Sequence, residues 1–340
     1  MQGTLNWLRR WETLLGAVLL VVIILNISLS PVFLNGGNLI NLFGVSVEKI
    51  ILALMMAFII INGEIDLSVA SIMALVGCLC AYLTQQGTPF EAALIISFVV
   101  GVLCGVFNGV MVAYVGLPSL AVTLAGLISY RGIARILLED RSISAFPTWF
   151  TDLGNTPILG PLPFAVVLFF ALFVIASVVL HYTAFGRYVF VIGNNPDAAR
   201  MSGVDVRRMK LTLFTLSGAV AALAGLLYVA RLSAVRANLA EGFELEAITM
   251  VLLGGVSIFG GSGTMLGVGL SILTILSLRN GMSLAGVTGN VQTSVIGLLL
   301  ILSVLIPNLV QSAREWFRRR GSARASGVSA QSTTEGVISG

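Results

Sequence analysis

Two carboxylates two residues apart, Glu64 and Asp66, stand in the phrase Asn62-Gly63-Glu64-Ile65-Asp66 between two apolar runs. A carboxylate at the bilayer centre costs on the order of 3 kcal/mol even on a lenient insertion scale. These side chains must sit at a membrane face, pair with cations, or line a wet cavity. Three chemistries are open to them. A discontinuous helix would present Asn62, Glu64 and Asp66 to a solute pathway. A tight turn at the cytoplasmic surface would leave them solvated and without a task. Paired carboxylates holding Mg²⁺ would suit an intramembrane transferase, but no further acidic cluster is present and the chain has a single histidine, His181. A second constellation joins Arg131 and Arg135, one helical turn apart and so on one face, with Asn108 on the preceding run and Thr123 and Tyr130 on the same one. Donors of that kind suit the oxygens of a polyhydroxylated solute. The alternative for both arginines is snorkelling at the outer end of a span.

Other motifs carry less. Gly254-Gly255 and Gly260-Gly261-Ser262-Gly263 look like a phosphate loop but lack the Lys-Ser/Thr ending, and read as close packing and a tight reversal. The two lysines, Lys49 and Lys210, follow no glycine loop, so the chain is expected to bind no ATP in the Walker manner. Cys78, Cys80 and Cys104 fall within apolar runs and read as small core residues. Neither a metal nor any other cofactor is expected on this chain.

The elements that position these residues are membrane spans. Of 340 residues, 57% are hydrophobic and 10% charged, against about 25% charged in soluble domains. Apolar runs of crossing length, about 20 residues, recur from Leu14 to Ile306. The reading is an all-α polytopic membrane protein of about ten transmembrane helices: 14–27, 45–61, 67–83, 91–115, 119–138, 164–182, 211–230, 247–259, 264–278 and 291–306. Residues 31–43 read as a loop and 139–163 as the largest outer loop. Gly101, Gly105 and Gly109, four apart, let a neighbouring helix approach closely. The N-terminal Arg9 and Arg10, the segment 183–210 and the C-terminal arginines from Arg314 to Arg324 hold twelve of the nineteen cations. Ten crossings place all three on the cytoplasmic side, where Lys and Arg gather. The division is a permease domain, 1–310, with a cytoplasmic connector at 183–210, and a basic tail, 311–340, expected to be disordered. The net charge of +4 thus speaks of topology, not of nucleic acid.

Within the connector lies a compact helix sentence. Asn195 can cap, Pro196 takes the first helical position, Asp197 places negative charge in the first turn, and Gly203 can adopt the left-handed stop. About two turns of helix are marginal alone. The segment reads as a small foot that docks into another protein.

Four phrases in order carry a resemblance: GEIDLSVAS (Gly63–Ser71), GVFNGVMVAYVGLPSLAVTLAGLISYRGIA (Gly105–Ala134), GNNPDAARMSGVDVRRMK (Gly193–Lys210) and VLLGGVSIFGGSGTMLG (Val251–Gly267). Together they resemble the permease subunits of bacterial ATP-binding cassette sugar importers, in the branch that serves ribose, xylose, arabinose, rhamnose and autoinducer 2. The resemblance covers roughly Leu14 to Asn308. It implies a multi-pass protein of the bacterial inner membrane, paired with a second permease, like or unlike. Two cytoplasmic ATPase subunits would hold the ATP and Mg²⁺, and a periplasmic binding protein would deliver the solute. The connector would be the coupling helix, with Gly193, Asn194, Asn195, Pro196, Ala198, Ala199, Ser202 and Gly203 engaging the ATPase. Asn62, Glu64, Asp66, Asn108, Thr123 and Arg131 are the pathway candidates. The family usually has glycine where this chain has Glu64, a departure that would mark one member of an unlike pair. The segment 233–290 is most similar to rhamnose and autoinducer 2 permeases, with rhamnose expected first. A proton-driven secondary transporter working through Glu64 or Asp66 is the alternative.

Overall fold

The computed structural model describes residues 2–139, 141–303 and 305. The expected tail, 311–340, and its arginines lie outside them. The described chain is α-helical apart from one short hairpin: α1 Gln2–Leu29, α2 Gly36–Gly44, α3 Val47–Ile61, α4 Val69–Gln85, α5 Phe90–Val110 continued by a π-helical turn Met111–Val115, α6 Ser119–Leu138, and α7 Thr148–Asn155. After the hairpin β1 Pro157–Leu159 and β2 Leu162–Pro163 come α8 Phe164–Tyr182, α9 Ala184–Asn194, α10 Pro196–Met201, α11 Val206–Leu232, α12 Phe243–Leu253 and α13 Met265–Leu284. Helix α14, Gly289–Ser303, follows.

Six of these helices are long and apolar enough to cross a bilayer, and α2 with α3, bent by 56° at a short break, makes up to seven. Of the other three expected spans, α4 has 17 residues and α12 has 11, and α14 is described over Gly289–Ser303. At 1.5 Å per residue α12 reaches about 16 Å, half of a hydrocarbon core. The expected span 247–259 therefore stops early, at Leu253. Gly254 lies so close to the backbone of Val268 that a Cβ would come within 2.8 Å, and Gly255 turns left-handed at φ +84°.

Helix α3 is the centre. Each of its 15 residues is buried, wrapped by α8, α11, α12 and α13. Its apolar run, IILALMMAFIII, thus faces protein on all sides, as a helix that is hydrophobic all round does when it lies in a core. The glycine stripe meets its expectation on α11. A Cβ on Gly105 would lie 2.4 Å from the Phe214 carbonyl oxygen, and one on Gly218 would lie 2.6 Å from the Gly101 carbonyl oxygen. The two backbones touch where side chains are missing.

Two expected loops are ordered instead. Residues 31–43 become helical from Gly36, because the Asn35 side chain caps α2 by accepting from the Gly37 N–H at 2.9 Å. The segment 139–163 contains α7 and the hairpin, fixed by a cluster in which Phe90 stacks edge-on against Trp149 and Phe150. Gly154 of α7 rests on the backbone of Arg231, 2.5 Å from a would-be Cβ. An isolated bridge, Ile143 with Val235, ties this end of the bundle to the turn before α12. The opposite end collects the break, the Gly116 turn, the connector and the glycine loop before α13.

Candidate functional site

The foot forms as its residues dictate. The Asn195 side chain accepts from the N–H groups of Asp197 and Ala198, both at 3.0 Å, and Pro196 opens α10. Gly203 closes it at φ +82°, and Ser202 donates back to the Ala198 carbonyl at 2.9 Å. Both flanks of the connector are also helical. Helix α9 precedes the foot, and Asp205 caps α11 by accepting from the Arg208 N–H at 3.0 Å. Arg207, Arg208 and Lys210 thus belong to the first turns of α11 and not to a loop.

Inside the connector a small apolar cluster of Ile192, Ala199 and Val206 holds the marginal helix in place. Ala199 is fully buried there, its side chain packed within the connector. A bulky side chain at 199 would take apart the foot itself. Pro196, Ala198, Ser202 and Met201 face outward, and Met201 is 91% exposed. Sequence reasoning passed over Met201. Its signal was one long apolar side chain in a two-turn helix whose other residues are small or charged.

Gly193, half-buried, and Asn194, exposed, both reach a joint. A Cβ on Gly193 would lie 1.8 Å from the Ile61 carbonyl oxygen and 2.6 Å from the Gly261 nitrogen. Gly261 donates its N–H to that same Ile61 carbonyl at 2.8 Å, and Asn194 Nδ2 donates to the Gly261 carbonyl at 3.0 Å. The left-handed Gly260 meets the Cα of the left-handed Gly63. Three segments far apart in sequence, the end of α3, the end of α9 and the glycine loop, therefore share one backbone contact. A second tie runs beside it, since Lys210 of α11 forms an ion pair with Glu64 in the break. Asn62 caps α3 at this joint and is buried, with neither side-chain polar atom hydrogen-bonded.

Beyond the joint the break enters a buried polar network. Asp66 is fully buried and accepts from the Ser68 N–H at 2.9 Å, the Ser68 hydroxyl at 2.6 Å and the Ser217 hydroxyl at 2.7 Å. Asn108 donates through Nδ2 to Ser68 Oγ at 2.9 Å, and the Tyr130 hydroxyl donates to Asn108 Oδ1 at 2.9 Å. Thr123 donates to the Ser119 carbonyl at 2.8 Å and has the Ile65 carbonyl as a second acceptor at 3.2 Å. A buried carboxylate is tolerable only with its lone pairs satisfied. Here hydroxyls and an amide do that and fasten α4, α5, α6 and α11 together. Asp66, Asn108 and Thr123 thus come together as one interlocked group, whereas Glu64 stands apart at the connector end.

Arg131 is not among them. It lies toward the C-terminal end of α6, one residue past Tyr130, buried, and its Nη1 donates to the carbonyls of Ala237 and Leu239, at 3.0 Å for Ala237. Its donors hold the turn before α12. Arg135 is exposed. Near that end α3 begins with two charged side chains buried in ion pairs. Glu48 receives Arg231 at 2.8 Å, and Lys49 meets Glu246 at 3.1 Å, with Arg279 on the second Glu246 oxygen at 2.6 Å. Among the described residues no group of three or more His, Cys, Asp or Glu gathers where it could hold a metal ion.

A family profile described as branched-chain amino acid transport system / permease component matches residues 38–304. The autoinducer 2 import system permease protein LsrD of Photorhabdus laumondii subsp. laumondii is 32% identical over 329 residues, covering 93% of this chain and 97% of that one. Those of Escherichia coli (strain K12) and Shigella flexneri are each 32% identical over 321 residues, covering 92% of this chain and 97% of their own. No solved structure matches the chain.

Proposed function

The chain belongs to this family of transport-system permeases, and on that premise we propose that it is the membrane subunit of an ATP-driven bacterial sugar-type importer that takes in autoinducer 2. The rhamnose expectation has no counterpart in the relatives described above, whose names all speak of autoinducer 2 import. The observation that carries the mechanism is the three-way joint. Cytoplasmic ATPase subunits dock on the outward side of α10, at Pro196, Ala198, Met201 and Ser202. Their movement pulls on Gly193 and Asn194, which share backbone contact with the end of α3 and the glycine loop. The Glu64–Lys210 pair carries the same movement into the break. Coupling works because the foot makes different contacts in two states of the assembly. A second permease, like or unlike, and a periplasmic binding protein complete the importer. Asn62, with its unpaired amide at the joint, gains its hydrogen bonds in the other state, and Asp66, Asn108 and Thr123 position the pathway helices.

The experiment is uptake of autoinducer 2 by cells that carry the chain with its neighbouring transport genes, joined to purification in mild detergent. ATPase subunits should copurify, and uptake should stop on ATP depletion. The variant Ala198→Arg should insert normally yet lose both the ATPase and uptake. Uptake that survives ATP depletion and collapses with the proton gradient would instead establish the proton-driven alternative.

A further inference from the structure

At the connector end a cavity of about 440 Å³ opens between α10, the start of α11, the break and the turn Met111–Gly116. Three cations line it, Arg200, Arg207 and Lys210, against one carboxylate, Glu64. Lys210 and Glu64 satisfy each other, with side chains 19% and 11% exposed. Arg200 is held by an exposed pair with Asp197, the kind of contact worth little in water. Arg207 is exposed and has no ion-pair or hydrogen-bond partner among the described residues. Two guanidinium groups are thus left over, and their planar forks match phosphate oxygens.

The far wall of the same cavity is of another kind. Tyr114, Val115 and Leu117 line it and are also exposed outward, and the exposed strip continues along α6 through Leu120, Leu124 and Ile128. A free anion would use the guanidinium groups alone. A phospholipid would use both features, its headgroup in the basic cavity and its chains on the strip. Basic pockets among transmembrane helices on the cytoplasmic side take anionic headgroups in this way. We propose that the cavity binds the phosphodiester headgroup of an anionic phospholipid of the cytoplasmic leaflet. The proposal rests on the connector facing the cytoplasm, and on neither the solute nor the ATPase partners. A lipid seated there touches the foot, α11 and the break at once, so the composition of the leaflet would bias the coupling joint.

The test uses the full chain in nanodiscs of phosphatidylcholine, titrated with phosphatidylglycerol, with the thermal midpoint and lipid retained in native mass spectrometry as readouts. Phosphatidylglycerol should raise the midpoint and be retained. The double variant Arg200→Gln/Arg207→Gln should bind it at least about tenfold more weakly, since one lost charge-assisted contact alone is on that scale. Arg187→Gln, a connector cation outside the cavity, should bind as the parent does. If the double variant does not fold, Arg207→Gln alone serves, since that side chain holds no other contact. Stabilisation by inorganic phosphate equal to that by the lipid would mean a free-anion site and overturn the proposal. So would equal weakening by Arg187→Gln, which marks a diffuse surface charge, or no response to phosphatidylglycerol at all.

Discussion

At the scale of single residues, the buried carboxylate of Asp66 and the bare Cα of Gly193 do the most to fix the connector end. Asp66 keeps its place through hydroxyl donors from two helices. Removing one donor leaves a buried acceptor unpaired, which costs about 1–3 kcal/mol. Ser217→Ala should therefore lower the thermal midpoint of the detergent-purified chain, and Ser217→Thr, which keeps the hydroxyl, should recover part of the loss. An unchanged midpoint in Ser217→Ala would show that Asp66 does not depend on that bond. Gly193→Ala places a Cβ against a backbone oxygen that cannot rotate away. It should uncouple the foot from α3, with uptake lost and ATPase binding retained, because the outward face of α10 is untouched. Loss of ATPase binding in that variant would place Gly193 in the docking surface instead of the joint.

At the scale of elements, the contact between α5 and α11 is set by the absence of side chains. Gly105→Ala drives a methyl to 2.4 Å from the Phe214 carbonyl oxygen and should destabilise by about 1–3 kcal/mol, the usual cost of overpacking. Gly132→Ala on α6 meets no heavy atom within 4 Å and should be neutral or stabilising, since alanine is the better helix former. Equal effects on the two thermal midpoints would refute the close-packing account. This stripe was legible in the sequence because its signal is local and periodic. So was the foot, whose cap, first proline and stop glycine act within a few residues. The joint was not legible. Gly63, Gly193 and Gly261 each look like ordinary turn glycines, and only the fold shows that they meet. Arg131 illustrates the same limit. Its position on one face of α6 was readable, but the carbonyls it holds lie 106 and 108 residues away. The early end of α12 was missed for a further reason. The run 247–259 stays apolar past Leu253, so hydropathy continues where the backbone has already turned.

At the scale of the whole molecule, the chain is an all-α polytopic membrane protein whose centre is a helix buried along its whole length. That arrangement has a history in time. Glu48 and Lys49 enter with α3, yet their partners Arg231 and Glu246 lie 183 and 197 residues further on. Neighbours i and i+1 do not face each other on a helix, so the two cannot satisfy one another in the interim. At a synthesis rate of about 5–20 residues per second, α3 waits on the order of 10–40 s for its counter-ions. The helix that ends with no face toward lipid begins life as a peripheral one, and must be surrounded afterwards by segments that the ribosome has yet to make.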